Sequence, residues 1–110
     1  MSDDPSVQFG NLLQTAQRMQ QEVARVQERL AAQVVEGTAG GGMVTARANG
    51  RQQLLSLTIE PSIIDKEERE MLQDLVVAAV NQALAKAHEL SQQEMASITG
   101  GLALNIPGLS

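Results

Sequence analysis

The stretch that decides the fold lies near the start of the chain, where residues 9–30 read FGNLLQTAQRMQQEVARVQERL. Apolar side chains recur there at steps of three and four among glutamines and arginines, which is the spacing of a helical heptad seam. This α1 seam comprises Phe9, Leu12, Ala16, Met19, Val23, Val26 and Leu30. A helix over residues 8–33 would be about 39 Å long, longer than a domain of this size is wide. The α1 seam therefore predicts a homodimer in which these residues form the interface.

Composition is that of an ordinary globular domain with a small aliphatic core. Of the 110 residues, 43% are hydrophobic and 19% charged, with one phenylalanine and no tyrosine or tryptophan. A core this small favours support from a second subunit. The lack of cysteine excludes disulfides, thiolate metal sites and cysteine nucleophiles. The acidic start of the chain and the lack of a long apolar run predict a cytoplasmic protein without membrane contact.

The remaining sequence predicts an α+β subunit of order α-β-β-β-α. After the first helix the apolar period changes to two, and strands are predicted at 33–39, 43–49 and 53–60 as a three-stranded antiparallel meander. The glycines at 40–42 form a loose connection, and Asn49-Gly50 a tight turn that tolerates positive φ. One sheet face is predicted to be apolar, with Val44, Ala46 and Ala48 on the second strand and Leu55, Leu57 and Ile59 on the third.

A second long helix is predicted after the sheet. Asp65 and Glu68 have the spacing of a capping box, so the helix begins there, reaches the region of Met95 and ends at Gly100-Gly101. The polar residues 1–7 are expected to be a disordered lead, 8–99 a single domain, and 100–110 a flexible tail.

Several short stretches occur together in the order of a known family. They are FGNLL at 9–13, AQRMQ at 16–20, VEG at 35–37, NG at 49–50, IEPS at 59–62, DLVVAAVNQA at 74–83 and EMASITGG at 94–101. On these stretches the chain resembles the YbaB/EbfC family of small nucleoid-associated DNA-binding proteins. The resemblance implies an intimate homodimer of α-β-β-β-α subunits that binds double-stranded DNA with limited sequence preference. It also implies a role in nucleoid organisation, sometimes in gene regulation, and no enzymatic activity.

Five arginines are candidate DNA contacts. On the first helix, three arginines separated by 7 and 4 residues lie on adjacent outer positions, and a two-fold dimer would duplicate this arginine line. Two more flank the Asn49-Gly50 turn. Guanidinium groups so placed bind phosphates without reading bases. The candidates are Arg18, Arg25 and Arg29, which form the arginine line, and Arg47 and Arg51.

The alternative for these arginines is an ordinary solvated surface. Glu22 and Glu28 lie at helical spacing from the arginine line, so surface ion pairs account for it equally well. The net charge of −5, from 8 basic and 13 acidic side chains, also opposes attraction to phosphate. The rival hypothesis is a non-enzymatic adaptor or scaffold dimer with little or no DNA binding.

Other chemistry finds little support in the sequence. The glycines at 40–42 are not followed by the Gly-Lys-Ser/Thr of a phosphate-binding loop. His88 is the sole histidine, and the acids around Asp65 are explained by a helix start. A glutamine-rich polar face does not suit a membrane-surface helix. The chain is therefore predicted to have no catalytic residues, metal, cofactor or small-molecule substrate.

Overall fold

The computed structural model describes residues 5–103, which form a helix, a three-stranded sheet and a second helix. The sheet order is β1-β2-β3, and both strand pairs are antiparallel. The predicted α-β-β-β-α order and meander are therefore confirmed. The elements are α1 (Pro5–Ala32), β1 (Val34–Ala39), β2 (Val44–Asn49), β3 (Leu54–Ile59), two 3-10 turns (Pro61–Ile63 and Lys66–Glu68) and α2 (Arg69–Ala103).

Helix α1 begins earlier than the sequence predicts. It starts at Pro5 rather than near Gln8, so residues 5–7 of the predicted disordered lead are helical. Proline suits a first helical turn, because the backbone N–H it lacks would have no helical partner there. Residues 1–4 of the predicted lead lie outside the described residues.

Helix α2 is shifted toward the C-terminus at both ends. Asp65 caps a 3-10 turn, with its Oδ1 accepting a hydrogen bond from Glu67 N at 3.1 Å, and the α-helix begins only at Arg69. At the other end, α2 continues through Gly100 and Gly101, which were predicted to stop it. A glycine inside a helix costs only about 1 kcal/mol, too little to end a long helix. Residues 104–110 of the predicted tail lie outside the described residues.

Helix α2 covers the apolar face of β1 and β2. Small side chains on both surfaces let helix and sheet approach closely. Gly37 of β1, which has no side chain, lies directly against α2. A Cβ atom at Gly37 would collide with the α2 backbone at Ala79 and Ala83. The fully buried residues of this contact are Val44, Ala46 and Ala48 on β2 and Ala79, Ala83 and Ala87 on α2.

Strand β3 is the least covered strand. Leu57 lies opposite Ala46 on the predicted apolar face, yet it is 38% exposed because α2 packs mainly over the other two strands. A β-bulge at Leu55 also breaks the predicted alternation of Leu55 and Leu57. Because Arg47 pairs with Ser56 and Ala48 with Leu54, Leu54 takes the position predicted for Leu55.

The C-terminal end of α1 docks onto the turn between β2 and β3. Gly50 N donates hydrogen bonds to Leu30 O at 2.8 Å and Gln33 O at 3.0 Å. A Cβ at Gly50 would lie 2.7 Å from Leu30 Cδ2 and 2.9 Å from Leu30 O. Gly50 is thus required by close approach and not, as predicted, by positive φ. The left-handed residue of this turn is Gln52, with φ 62°.

The N-terminal half of α1 projects from the rest of the molecule. Every residue from 5 to 18 is exposed, and the described chain measures 77 × 26 × 16 Å. In the part of the chain that the structure describes, no helix combines the length and apolar character needed to cross a bilayer.

Candidate nucleic-acid interface

The arginine line runs along the outer surface of α1. Arg18 and Arg29 are separated by about 17 Å along the helix axis at 1.5 Å per residue. All three arginines of the line are exposed. Arg18 lies in the projecting half of α1 and makes no ion pair with any residue in the range 5–103. Its charge is therefore available to a ligand.

The other two arginines of the line have carboxylate partners. Arg25 Nη1 lies 2.9 Å from Glu22 Oε1, the ion pair that its helical spacing allows. Arg29 Nη2 lies 3.4 Å from Glu94 Oε2 and so links α1 to α2. Both guanidinium groups remain more than half exposed, and such surface pairs contribute only about 0–1 kcal/mol. A phosphate can therefore compete for either arginine at small cost.

A shallow groove of about 450 Å³ lies along this part of α1. It carries two guanidinium groups and two carboxylates, so its charges nearly cancel. The groove is consequently not a strong anion site. Its lining residues are Glu22, Arg25, Glu28, Arg29 and Ala32.

Arg47 lies within β2 rather than in the turn. It faces the side of the sheet away from α2, directly opposite Glu36 of β1, and its Nε is 3.4 Å from Glu36 Oε1. About half of each side chain is exposed. This is a cross-strand ion pair on an open polar surface, where Thr45 and Thr58 also lie opposite one another.

Arg51 projects from a turn that a buried asparagine holds rigid. Asn49 is 4% exposed, and its Oδ1 accepts hydrogen bonds from Arg51 N at 3.0 Å and Gln53 N at 3.1 Å. Its Nδ2 donates to Gln53 Oε1 at 2.8 Å. The Arg51 side chain itself is exposed and makes no ion pair with the described residues.

The fold docks the turn that carries Arg51 against the C-terminal end of α1, which carries Arg29. The hydrogen bonds from Gly50 N to Leu30 O and Gln33 O hold the two segments together. The sequence does not reveal this neighbourhood, because it depends on how the turn docks against α1. The pairing of Asn49 with Gln53 was missed as well; an asparagine-glycine turn with an amide side chain shortly after it is the signal.

Lys86 of α2 contacts the backbone of β1. Its Nζ donates to Glu36 O at 2.8 Å, and Gln82 Oε1 one turn earlier accepts from Thr38 N at 2.7 Å. Both side chains of α2 therefore satisfy backbone groups along the outer edge of β1. Within residues 5–103 no three histidine, aspartate or glutamate side chains converge as metal ligands.

The fold buries part of the predicted dimer interface and leaves the rest exposed. Val26 and Leu30 are fully buried within the subunit, so their surface is already used. Met19 and Val23 are half-buried, while Phe9, Leu12 and Ala16 are exposed. Only the N-terminal part of the α1 seam is open to a second molecule.

Comparison with known proteins places the chain in one family. Residues 5–102 match the YbaB/EbfC DNA-binding family. A nucleoid-associated protein of Thermoanaerobacter pseudethanolicus is 57% identical over 101 residues, covering 92% of this chain and 89% of the relative. One from Syntrophobacter fumaroxidans is 52% identical over 99 residues, covering 90% and 88%. The crystal structure of an uncharacterized Helicobacter pylori protein superimposes with a TM-score of 0.73 at 28% identity, covering 88% of this chain and 98% of that one. The chain belongs to the YbaB/EbfC DNA-binding family.

Proposed function

We propose that this protein is a homodimeric nucleoid-associated protein that binds double-stranded DNA through phosphate contacts with low sequence preference. The observation that carries the proposal is membership of a DNA-binding family, together with close relatives named as nucleoid-associated proteins. The proposed location is the bacterial nucleoid, the proposed role is nucleoid organisation and gene regulation, and no enzymatic activity is proposed.

The proposed DNA contacts are the exposed arginines. Arg18 and Arg51 have no ion-pair partner among the described residues, and they supply the least hindered positive charge. When DNA binds, a phosphate replaces the carboxylate partner of Arg25, Arg29 and Arg47. Guanidinium groups pair well with phosphate oxygens and carry no sequence information when they do so.

The net charge of −5 lowers the expected affinity for DNA. Few cations reach the duplex, and the remaining surface repels it, so affinity is modest and falls with rising salt in proportion to the number of phosphates neutralised. The same charge supports the rival function, a protein adaptor. The two functions differ in whether any complex with DNA forms at low salt.

We propose the α1 seam as the surface through which two copies of the chain contact each other. Its accessible members are Phe9, Leu12, Ala16, Met19 and Val23. Together they span about two heptads.

Charge reversal on α1 tests DNA binding against a matched control. Arg18→Glu with Arg25→Glu removes two arginines of the line and leaves the Arg29 bridge between the helices intact. Lys66→Glu with Arg69→Glu makes the same change in net charge at exposed residues of the second 3-10 turn and the start of α2. In fluorescence-anisotropy titrations of two unrelated duplexes, we expect the α1 variant to bind about tenfold or more weakly and the control about as tightly as the wild type.

Equal losses in both variants would show that net charge alone governs binding and would reject the arginine line. If the wild type forms no complex with either duplex at low salt and micromolar protein, DNA binding is rejected and the adaptor is favoured.

A further inference from the structure

Glu94 reaches the arginine line from the second helix. Its Oε2 lies 3.4 Å from Arg29 Nη2. The two residues are 65 positions apart in the chain, so the packing of α1 against α2 is what brings them together. The pair therefore belongs to the tertiary structure, unlike the pair of Arg25 and Glu22, which follows from the spacing of residues on one helix.

Both members of this pair stand on packed helices. Leu30, the residue after Arg29, is fully buried, and its carbonyl oxygen accepts a hydrogen bond from Gly50 N at 2.8 Å. Glu94 is only partly exposed on α2. Because both backbones are already fixed, the carboxylate meets the guanidinium with no further loss of main-chain freedom. The pair is thus preformed in the free protein.

Three arginine–carboxylate pairs occur within residues 5–103, and the carboxylate of this one is the least exposed. The side chain of Glu94 is 28% exposed, against 47% for Glu22 and 51% for Glu36. Lower exposure reduces the screening of a charge by water and salt. Glu94 consequently holds its arginine against a competing anion more firmly than a well-solvated carboxylate does.

The guanidinium of Arg29 still remains open to a ligand. Its side chain is 59% exposed, and the contact with Glu94 is made through Nη2. A guanidinium carries five N–H donors in all, so a phosphate can bind from the open side before the carboxylate leaves. The 3.4 Å separation is also longer than the distance of about 2.7–2.9 Å in a strong charge-assisted hydrogen bond. The carboxylate can therefore be displaced.

We propose that Glu94 is an internal competitor of the DNA phosphate for Arg29 and thereby controls the affinity of the protein for a duplex. The inference rests on the DNA binding of the proposed function and adds a residue that limits it. In the free protein, Glu94 occupies the place that a phosphate oxygen takes in the complex. Glu94 acts on DNA through Arg29, which makes it a positioning residue.

Competition of this kind lowers affinity without abolishing it. The loss of a partly exposed ion pair changes an equilibrium by a factor of about one to five. Removal of the Glu94 charge should therefore strengthen DNA binding severalfold. Glu94→Gln retains nearly the size and shape of the side chain, so the packing of α1 against α2 is kept.

Fluorescence-anisotropy titrations of one duplex compare Glu94→Gln and, independently, Glu94→Ala with the control Glu89→Gln. Glu89 is an exposed residue of the same helix and makes no ion pair with the described part of the chain. All three substitutions change the net charge equally. We expect both Glu94 variants to bind about threefold to fivefold more tightly than the wild type, and Glu89→Gln to stay within about twofold. Far-UV circular dichroism verifies that the variants are folded.

A double substitution tests whether the effect passes through Arg29. Arg29→Gln should weaken binding and reduce the slope of log affinity against log salt by about 0.9, the loss of one phosphate contact. Glu94→Gln alone should keep the wild-type slope, because the phosphate reaches Arg29 in both proteins. Adding Glu94→Gln to Arg29→Gln should change affinity by less than about twofold, since no guanidinium remains to be released.

The outcomes separate this role of Glu94 from DNA binding itself. If the wild type binds the duplex and the Glu94 variants bind no more tightly than Glu89→Gln, the competitor role is overturned and DNA binding stands. A gain that persists in the Arg29→Gln background overturns it as well, because it would reflect a change elsewhere in the fold. If neither the wild type nor Glu94→Gln forms a complex at low salt and micromolar protein, DNA binding and this inference are both rejected.

Discussion

At the scale of single residues, Asn49 is the buried polar group on which the arginine-bearing turn depends. Asn49→Ala leaves the Arg51 and Gln53 N–H groups without their acceptor. We expect the free energy of unfolding to fall by about 1–3 kcal/mol, since unsatisfied donors retain their desolvation cost. Urea unfolding followed by circular dichroism measures this. Asn81→Ala, on the exposed surface of α2, is the control and should change stability little; equal effects would contradict the role assigned to Asn49.

Gly37 is decisive for a different reason, which is the close approach of β1 to α2. In Gly37→Ala the new Cβ meets backbone atoms of Ala79 and Ala83, which cannot turn aside as a side chain can. We expect a loss of about 2 kcal/mol or more in unfolding free energy. Gly10→Ala is the matched control, because nothing lies within 4 Å of its Cβ position. It should stabilise α1 by about 0.5–1 kcal/mol, and a harmless Gly37→Ala would show that the packing is looser than described.

At the scale of elements, α1 consists of two halves with different roles. Leu30→Ala removes a fully buried side chain and should lower the free energy of unfolding by about 2–5 kcal/mol. Leu13→Ala makes the same chemical change at an exposed position outside the α1 seam and should cost less than about 0.5 kcal/mol. Thermal unfolding at one fixed protomer concentration compares them. An equal loss from Leu13→Ala would contradict the division of α1 into a buried half and an exposed half.

At the scale of the whole molecule, DNA affinity is expected to depend on the dimer. A variant held as a monomer by a charge in the α1 seam has half of the arginines in one particle and loses the benefit of binding through both subunits. We expect its affinity for a duplex to fall by about tenfold or more. Anisotropy titrations of Leu12→Lys, in the α1 seam, and of Val77→Lys, an exposed control position on α2, measure this at equal salt. Unchanged affinity of a monomeric Leu12→Lys would mean that each subunit binds DNA independently.

Most elements of the fold were predictable from residue patterns. The apolar period of α1, the change to period two after residue 33 and the capping acid Asp65 are local signals, and each reflects backbone geometry within a few residues. The errors in these predictions lie mainly at the ends of the helices. The helix ends at Pro5 and beyond Gly101 differ from prediction because the small preferences of single residues do not fix where a helix stops.

The candidate site was predictable only in its residue types. The sequence identifies the arginines, but it does not show that Glu94 approaches Arg29 from a distant helix or that Gly50 docks the turn with Arg51 onto the end of α1. These contacts join residues far apart in the chain, and no short-range pattern records them.

The order of helices and strands, the aliphatic core and the family follow from the chain alone, since periodicity and motif spacing are properties of neighbouring residues. Only the tertiary structure shows which apolar residues remain exposed. Leu30 and Leu12 belong to one heptad pattern, yet one is buried against the subunit and the other faces water. Leu57 was expected on a covered face, but α2 passes over the other strands and leaves β3 open. Burial depends on where distant elements pack, and that is a property of three-dimensional arrangement.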